Sequence, residues 1–238
     1  METWFNNNIY SSELFDSTWN VFRRDRCDVN NDPRNGGGVL IAVKNDIICE
    51  TVELQDDSGT ENMTVRLRIG GIFVYMNSVY LPPNLDSSGY ESYITVIEEL
   101  SATLNPMDEL LVFGDFNLNN VTWIRDDENE CIMNAHGVTS DKSDYILSHL
   151  FNSGLNQLND IANDYGNVLD LVFSTFIDDI TVELSGHPIK KHSVAHKALD
   201  IVLNLRECRT HTIIQEEYYY DYKRANSADI LNGLNSLD

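Results

Sequence analysis

An α/β sandwich, with two packed sheets flanked by helices, is the fold class this sequence predicts. Three observations carry the prediction. Short apolar runs of strand length recur along the 238 residues, and one adjacent pair is joined through Gly70-Gly71. Only two stretches carry apolar residues at helical spacing. One buried-looking run, "ELLVFGDFN" (109–117), stops abruptly at a glycine, a carboxylate, an aromatic and a carboxamide.

"GGGVLIAV" (36–43) reads as a glycine turn followed by a strand of branched residues. "NMTVRLRIGG" (62–71) alternates apolar and polar residues, the period of a half-buried strand. "IFVYMNSVYLPP" (72–83) is a second strand, ended by two prolines, and the two form a hairpin through the glycine pair. The first helix is predicted over 90–104 and an amphipathic one over 143–155, ended by Gly154. "VLDLVFS" (168–174), "DITVELS" (179–185) and "ALDIVLNL" (198–205) are further strands. From about Glu216 the texture turns polar and tyrosine-rich, so residues 1–212 read as the domain and 213–238 as a linker with a helical end.

Composition narrows the classes. With 42% apolar residues and five prolines, the chain is a folded protein. Its four cysteines lack any paired spacing, which reads as free core thiols and not as a disulfide frame or zinc site. No apolar run approaches a membrane span and no leader pattern opens the chain, so nucleus or cytoplasm is the expected location. The net charge of −22 argues against a broadly basic nucleic-acid surface. Bases cluster locally instead: Arg23, Arg24, Arg26 and Arg34 near the start, Lys190, Lys191 and Lys197 near the end.

Asp115 and Asn117 stand two apart at a strand end, so an extended chain would point both to one face and Phe116 into the core. A carboxylate beside an amide can orient water and hold a phosphate or a metal. Glycine, aspartate and asparagine also favour turns, so a plain turn is the competing reading. Four more residues stand at similar places. Glu2 lies beside Trp4 at the chain start, Tyr80 ends a strand, Asp170 interrupts an apolar one, and His196 precedes another. Each has an ordinary structural reading too: a terminus, a wet phenol, a turn acid, a surface histidine.

Taken in order, these residues resemble the endonuclease/exonuclease/phosphatase superfamily. "ETWF", "RRDR", "GGGVLIAV", "VYLPP", "GDFNLNNVTW", "LDLVFS" and the tail "EEYYYDYKRAN" look most like the endonuclease domain of insect non-LTR retrotransposons, upstream of a reverse transcriptase. The resemblance implies a DNase I-like four-layer α/β sandwich of two mainly antiparallel sheets. It also implies a phosphodiesterase dependent on Mg2+ (or Mn2+), with DNA as substrate. By the same resemblance, Glu2 would bind the metal and Tyr80 would contact the scissile phosphate. Asp115 would orient or deprotonate water, and Asn117 would hold phosphate. Asp170 would pair with His196, the active-site histidine. Two departures stand out. The chain opens one residue before the glutamate, where the family has two further strands, and it carries Val194-Ala195-His196 where the family commonly has Ser-Asp-His. The resemblance therefore implies weakened metal binding and impaired cleavage. Three readings remain: a DNA endonuclease, a phosphatase or phosphodiesterase acting on RNA or a small molecule, and a non-catalytic remnant.

Overall fold

The computed structural model describes residues 8–25, 37–54, 60–178, 180–188 and 193–204, together with Thr3 and Phe5. All of these fall within one compact unit, Met1–Cys208. The expected linker over 213–238 lies outside the described residues, as do Glu2 and Trp4.

In chain order the elements are β1 (Trp19–Arg24), β2 (Val39–Lys44), β3 (Ile48–Val52), β4 (Glu61–Ile69), β5 (Ile72–Tyr80) and α1 (Ser87–Thr103). They continue with β6 (Glu109–Asp115), β7 (Thr122–Arg125), β8 (Met133–His136), α2 (Asp141–Asn152), β9 (Asn156–Gln157), β10 (Asp170–Ser174), β11 (Ile180–Leu184) and β12 (Leu199–Leu203). A six-stranded sheet in the order β3-β4-β5-β6-β10-β9 is the frame. Its pairings are antiparallel except β5 with β6, which run parallel and are bridged by α1.

Local chemistry explains the elements. The β4–β5 hairpin turns on Gly70 and Gly71, whose φ values of 58° and 91° suit the tight turns that match strand twist. Asp86 caps α1 by accepting from the Gly89 N–H at 2.9 Å, so the helix starts at Ser87, three residues before the predicted start. Ser140 caps α2 in the same way through Ser143. Gly154, at φ 79°, follows the helix end. The sequence reading has no counterpart for β1, β3, β7, β8 and β9. β7, β8 and β9 have four residues or fewer, and β3, with three of its five residues exposed, lies at the sheet edge.

Alternation along each central strand builds two cores. Leu110 and Val112 of β6 face the helices, with Tyr93, Ile94, Ile97 and Leu150. Leu111 and Phe113 face the other way. There the second layer, among the described residues, is two separate ribbons rather than one sheet. β1 and β2 cover β4 and β5 through Ile41, Val43, Val65 and Val74. β11 and β12 cover β6 and β10 through Ile180, Leu199 and Ile201. Two cysteines are described: Cys49 is half-buried and Cys131 is exposed, so Cys131 is not the core thiol expected. No described helix is long and apolar enough to cross a membrane.

Gly114 answers why the β6 strand needs a glycine. It pairs with Val79 of β5, and a β-carbon at Gly114 would lie 1.8 Å from the Val79 carbonyl oxygen. Relief would require β5 and β6 to separate. We expect Gly114→Ala to destabilise the protein by more than about 3 kcal/mol or to leave it unfolded, measured by urea denaturation.

Candidate active site

One row of side chains crosses the sheet at its rim. Register pairs Glu61 with Tyr80, Tyr80 with Asp115, and Asp115 with Asp170. In-register neighbours project to the same face, so all four share the ribbon-facing side. One pleat below, Met63, Ser78, Phe113 and Val172 form the next row.

Asp115 ends β6 and is only 2% exposed. Phe116 turns to the helix side, where it is fully buried against Phe173 at 5.3 Å between ring centroids. Its N–H is held by the Leu169 carbonyl at 3.0 Å, which ties the chain after β6 to the entry of β10. Asn117 then adopts φ 53°, the left-handed region that asparagine tolerates. The expectation that an extended chain points Asp115 and Asn117 the same way is therefore corrected: the strand stops at Asp115. The Asn117 N–H instead donates to Asp115 Oδ1 at 3.1 Å, an Asx turn, and its side-chain amide donates to the Leu81 carbonyl at 3.0 Å. The turn reading and the site reading thus describe one piece of chain. Tyr80, 9% exposed, stands beside Asp115 in the parallel pairing, and the Leu81 N–H donates to the Asp115 carbonyl at 2.8 Å.

His196 lies in the loop before β12. Its Nδ1 is 3.0 Å from Asp170 Oδ2 and 3.2 Å from Oδ1. An ionised carboxylate only accepts, so Nδ1 carries the proton and Nε2 faces the other way. There Nε2 stands 3.8 Å from Asp115 Oδ2. The ring spans two carboxylates that the sheet places side by side.

This arrangement sets the charges. Burial, then the charge of Asp170, pushes the Asp115 carboxyl up to about 6, with His196 opposing. The hydrogen bond to Asp170 holds His196 above its ordinary value against the effect of burial. Asp115 and His196 therefore titrate as a coupled pair, each altering the other.

The ligand atoms of Asp115, Asp170 and His196 lie within 4.8 Å of one another and could hold a metal ion. The 3.8 Å gap is too long for a hydrogen bond, yet one water at about 2.8 Å or one metal ion at about 2.1 Å could touch both atoms. Asp170 and Nδ1 are already engaged with each other. Asp115 Oδ2, with no hydrogen bond among the described residues, is the oxygen left for a hard cation. It fits as part of a shell that water or further oxygens must complete.

Two residues near the row had no signal in sequence. Glu61, 6% exposed, looks like any strand-initial acid. Lys142 looks like a solvated helix charge, but it is half-buried and donates to the Pro82 carbonyl at 3.0 Å. Burial lowers its pKa and Asp115 acts against that. The proposed basic clusters fare differently. Arg23 is committed to Asp25 and the Ile9 carbonyl, and Lys197 to Asp164. Arg26, Arg34, Lys190 and Lys191 lie outside the described residues. A cavity of about 480 Å³ is lined by Asn119, Asn120, Trp123, Asp160 and Asn167, from the chain that follows Asn117 and the chain that leads into Asp170.

Two outcomes test the electrostatics in metal-free protein. Asp115 ionises at about 6 when folded against 3.8 when unfolded, so its ionisation opposes folding. That penalty is absent below the lower value and complete above the higher, where it reaches up to roughly 3 kcal/mol. We expect Asp115→Asn to raise the melting temperature at about pH 7.5 and to leave it unchanged at about pH 3.5. For the second, Asp170→Asn should bring the His196 titration, followed by NMR, down from its raised position; an unmoved midpoint would contradict the pairing.

No family model matches the chain, and no curated protein matches it. Solved structures do. The endonuclease domain of TRAS1, a telomere-specific non-LTR retrotransposon, is 17% identical at a TM-score of 0.54, covering 79% of this chain and 81% of that one. An AP endonuclease from Archaeoglobus fulgidus is 15% identical at 0.52, covering 86% and 87%. The 3′ phosphatase NExo from Neisseria, bound to product DNA hairpin, is 15% identical at 0.52, covering 85% and 86%. These likenesses establish the fold: a central α/β sandwich of the endonuclease/exonuclease/phosphatase, or DNase I-like, kind.

Proposed function

We propose that this chain, built on that fold, is a phosphodiesterase that nicks DNA in the manner of a retrotransposon endonuclease. The observation that carries the reading is the His196 ring set between Asp170 and Asp115 at one end of the sheet. A lone surface histidine or turn acid gives no such chain of proton-handling groups.

Each residue has a role that follows from its position. Asp115, once ionised, accepts a proton from the attacking water through Oδ2 and holds its own orientation through the Asn117 N–H. Asp170 accepts from Nδ1 and favours the charged imidazolium, whose Nε2–H then donates to a phosphoryl oxygen as charge develops there. Asn117 keeps the loop against Leu81, and Tyr80 contacts the phosphate from the neighbouring strand. A divalent cation, Mg2+ or Mn2+, when bound near Asp115 Oδ2, supplies charge neutralisation at the phosphate. Glu2, the metal residue that the resemblance implies, lies outside the described residues. A surface of −22 repels DNA, and the described members of the proposed basic clusters are largely paired within the protein. Binding would then lean on the cation and on the cavity lined by Asn119, Asn120 and Trp123. Ala195 places no carboxylate next to His196, so turnover is slow by this reading. The neighbour that is a 3′ phosphatase supports a second use of the same groups, removal of a terminal phosphate.

The test is relaxation of supercoiled plasmid with Mg2+ or Mn2+, alongside a 3′-phosphorylated hairpin. We expect slow, metal-dependent nicking with a bell-shaped pH profile, its acid limb lying below the metal-free Asp115 value of about 6 because a cation beside the carboxylate favours its charged form. Asp115→Ala should abolish it, and His196→Ala should lower it by about 100-fold. Release of phosphate from the hairpin without nicking would favour the phosphatase use. Neither activity from a folded chain would favour the non-catalytic reading.

A further inference from the structure

The His196 loop lacks an acid at Ala195, yet something must hold the imidazole within hydrogen-bond reach of Asp170. The loop closes on itself: the His196 N–H donates to Ser193 Oγ at 2.7 Å, and the Ser193 N–H to the His196 carbonyl at 2.9 Å. A self-closed turn fixes its own shape but not its place over the sheet. Besides the Lys197–Asp164 ion pair, two hydrogen bonds from the 163–167 turn hold it there. The Asp164 N–H donates to the Val194 carbonyl at 3.0 Å. The Asn163 side-chain amide donates to the Ala195 carbonyl at 3.1 Å.

Asn163 does more than touch that loop. It is 9% exposed, and its Oδ1 accepts from both the Tyr165 and Asn167 N–H groups at 3.0 Å. Its own N–H donates to the Asn167 carbonyl at 2.8 Å, and its carbonyl accepts from Gly166 at 3.0 Å. With N–H donors on one side and a carbonyl on the other, only one orientation of the amide satisfies both. The turn it closes, 163–167, runs through Val168 and Leu169 directly into Asp170. One side chain therefore fixes both the approach to Asp170 and the loop that bears its partner.

We infer that Asn163 is a positioning residue: its amide clamps Val194-Ala195-His196 at the place where the imidazole spans Asp170 and Asp115. The inference rests on the role proposed for His196. Nothing in the sequence marks the residue, since "NDYGN" reads as a plain turn. Its chemistry is nonetheless specific, because the clamp needs an acceptor and a donor on one short side chain. Aspartate offers only acceptors, and alanine offers neither.

The variant that isolates the clamp is Asn163→Asp. It keeps an oxygen for the turn and turns an oxygen, in place of the donor, toward the Ala195 carbonyl. The first readout is the His196 imidazole in the full chain, followed by long-range 15N–1H NMR in EDTA. In the unmodified protein a single tautomer with a slowly exchanging Nδ1–H is expected. In Asn163→Asp the ring should average between tautomers and lose that proton. Asp164→Ala is the control: it removes the Lys197 ion pair but keeps the backbone bond to Val194, and should look like the unmodified protein. Should Asn163→Asp not fold, Asn163→Ser, whose hydroxyl can close the turn without reaching Ala195, takes its place. The second readout is plasmid nicking, where kcat should fall by about 100-fold with KM unchanged. A folded Asn163 variant with an unchanged imidazole signature overturns the inference, and so does an Asp164→Ala variant that loses the signature equally. Absence of cleavage in the unmodified chain would count against the proposed function, while the imidazole readout would still decide the role of Asn163.

Discussion

The structure depends most on the placing of β6 between β5 and β10. β6 pairs parallel with one neighbour and antiparallel with the other, and the registers coincide at their ends. That coincidence sets Tyr80, Asp115 and Asp170 in one line on one face. It requires a close approach at Gly114, where no side chain fits against the Val79 carbonyl. It also requires the chain to leave the sheet at once. The Phe116 N–H to Leu169 and the Leu81 N–H to Asp115 each carry a sheet-like hydrogen bond one step past the strand, and the chain then turns away at Asn117. Phe116, buried on the helix side, then anchors the Asn117 turn.

The second constraint is electrostatic. Two acids lie side by side at the rim, one of them almost wholly removed from water. Such a pair is tolerated only if a positive or donating group stands between them. His196 fills that place, and each partner alters the other: Asp170 raises the imidazole's basicity, and the imidazole eases the ionisation of Asp115. The arrangement is costly to the fold, and perturbed pairs of this kind are what the proposed proton chemistry would use. The strongly acidic surface sets a separate limit. A polyanionic substrate would meet repulsion everywhere except where a cation or a shaped cavity offsets it.

How much of this could be read from sequence differs by residue. The hairpin at Gly70-Gly71, the long apolar strands and the two helices were legible, because periodicity and glycine chemistry are local properties. Asp115, Asn117 and Tyr80 stand out as polar residues at apolar strand ends, Asp170 as an acid within an apolar strand and His196 as a histidine before one, and the resemblance joins them into one set. Their individual roles rest on resemblance and await the nicking and titration experiments. The extended geometry expected for Asn117 could not survive, because the turn after Asp115 is imposed by Leu81 and Leu169, both distant in the chain. Strands β7, β8 and β9 are too short for a periodicity to show, and β1 and β3 lack the alternation that a one-dimensional reading needs.

By itself, then, the sequence determined the sheet-forming segments, the turn chemistry and the acidic balance, since each depends on neighbours along the chain. Only the tertiary structure decided register. It put Asp170 opposite Asp115, brought His196 between them, and split the second layer into two ribbons. It also showed Arg23 and Lys197 bound within the protein, and gave Asn163 and Lys142 partners in distant loops. The physical reason is that a hydrogen bond or an ion pair is fixed by distance in space. Residues separated by 26 positions, as Asp170 and His196 are, meet only when the whole sheet is in register.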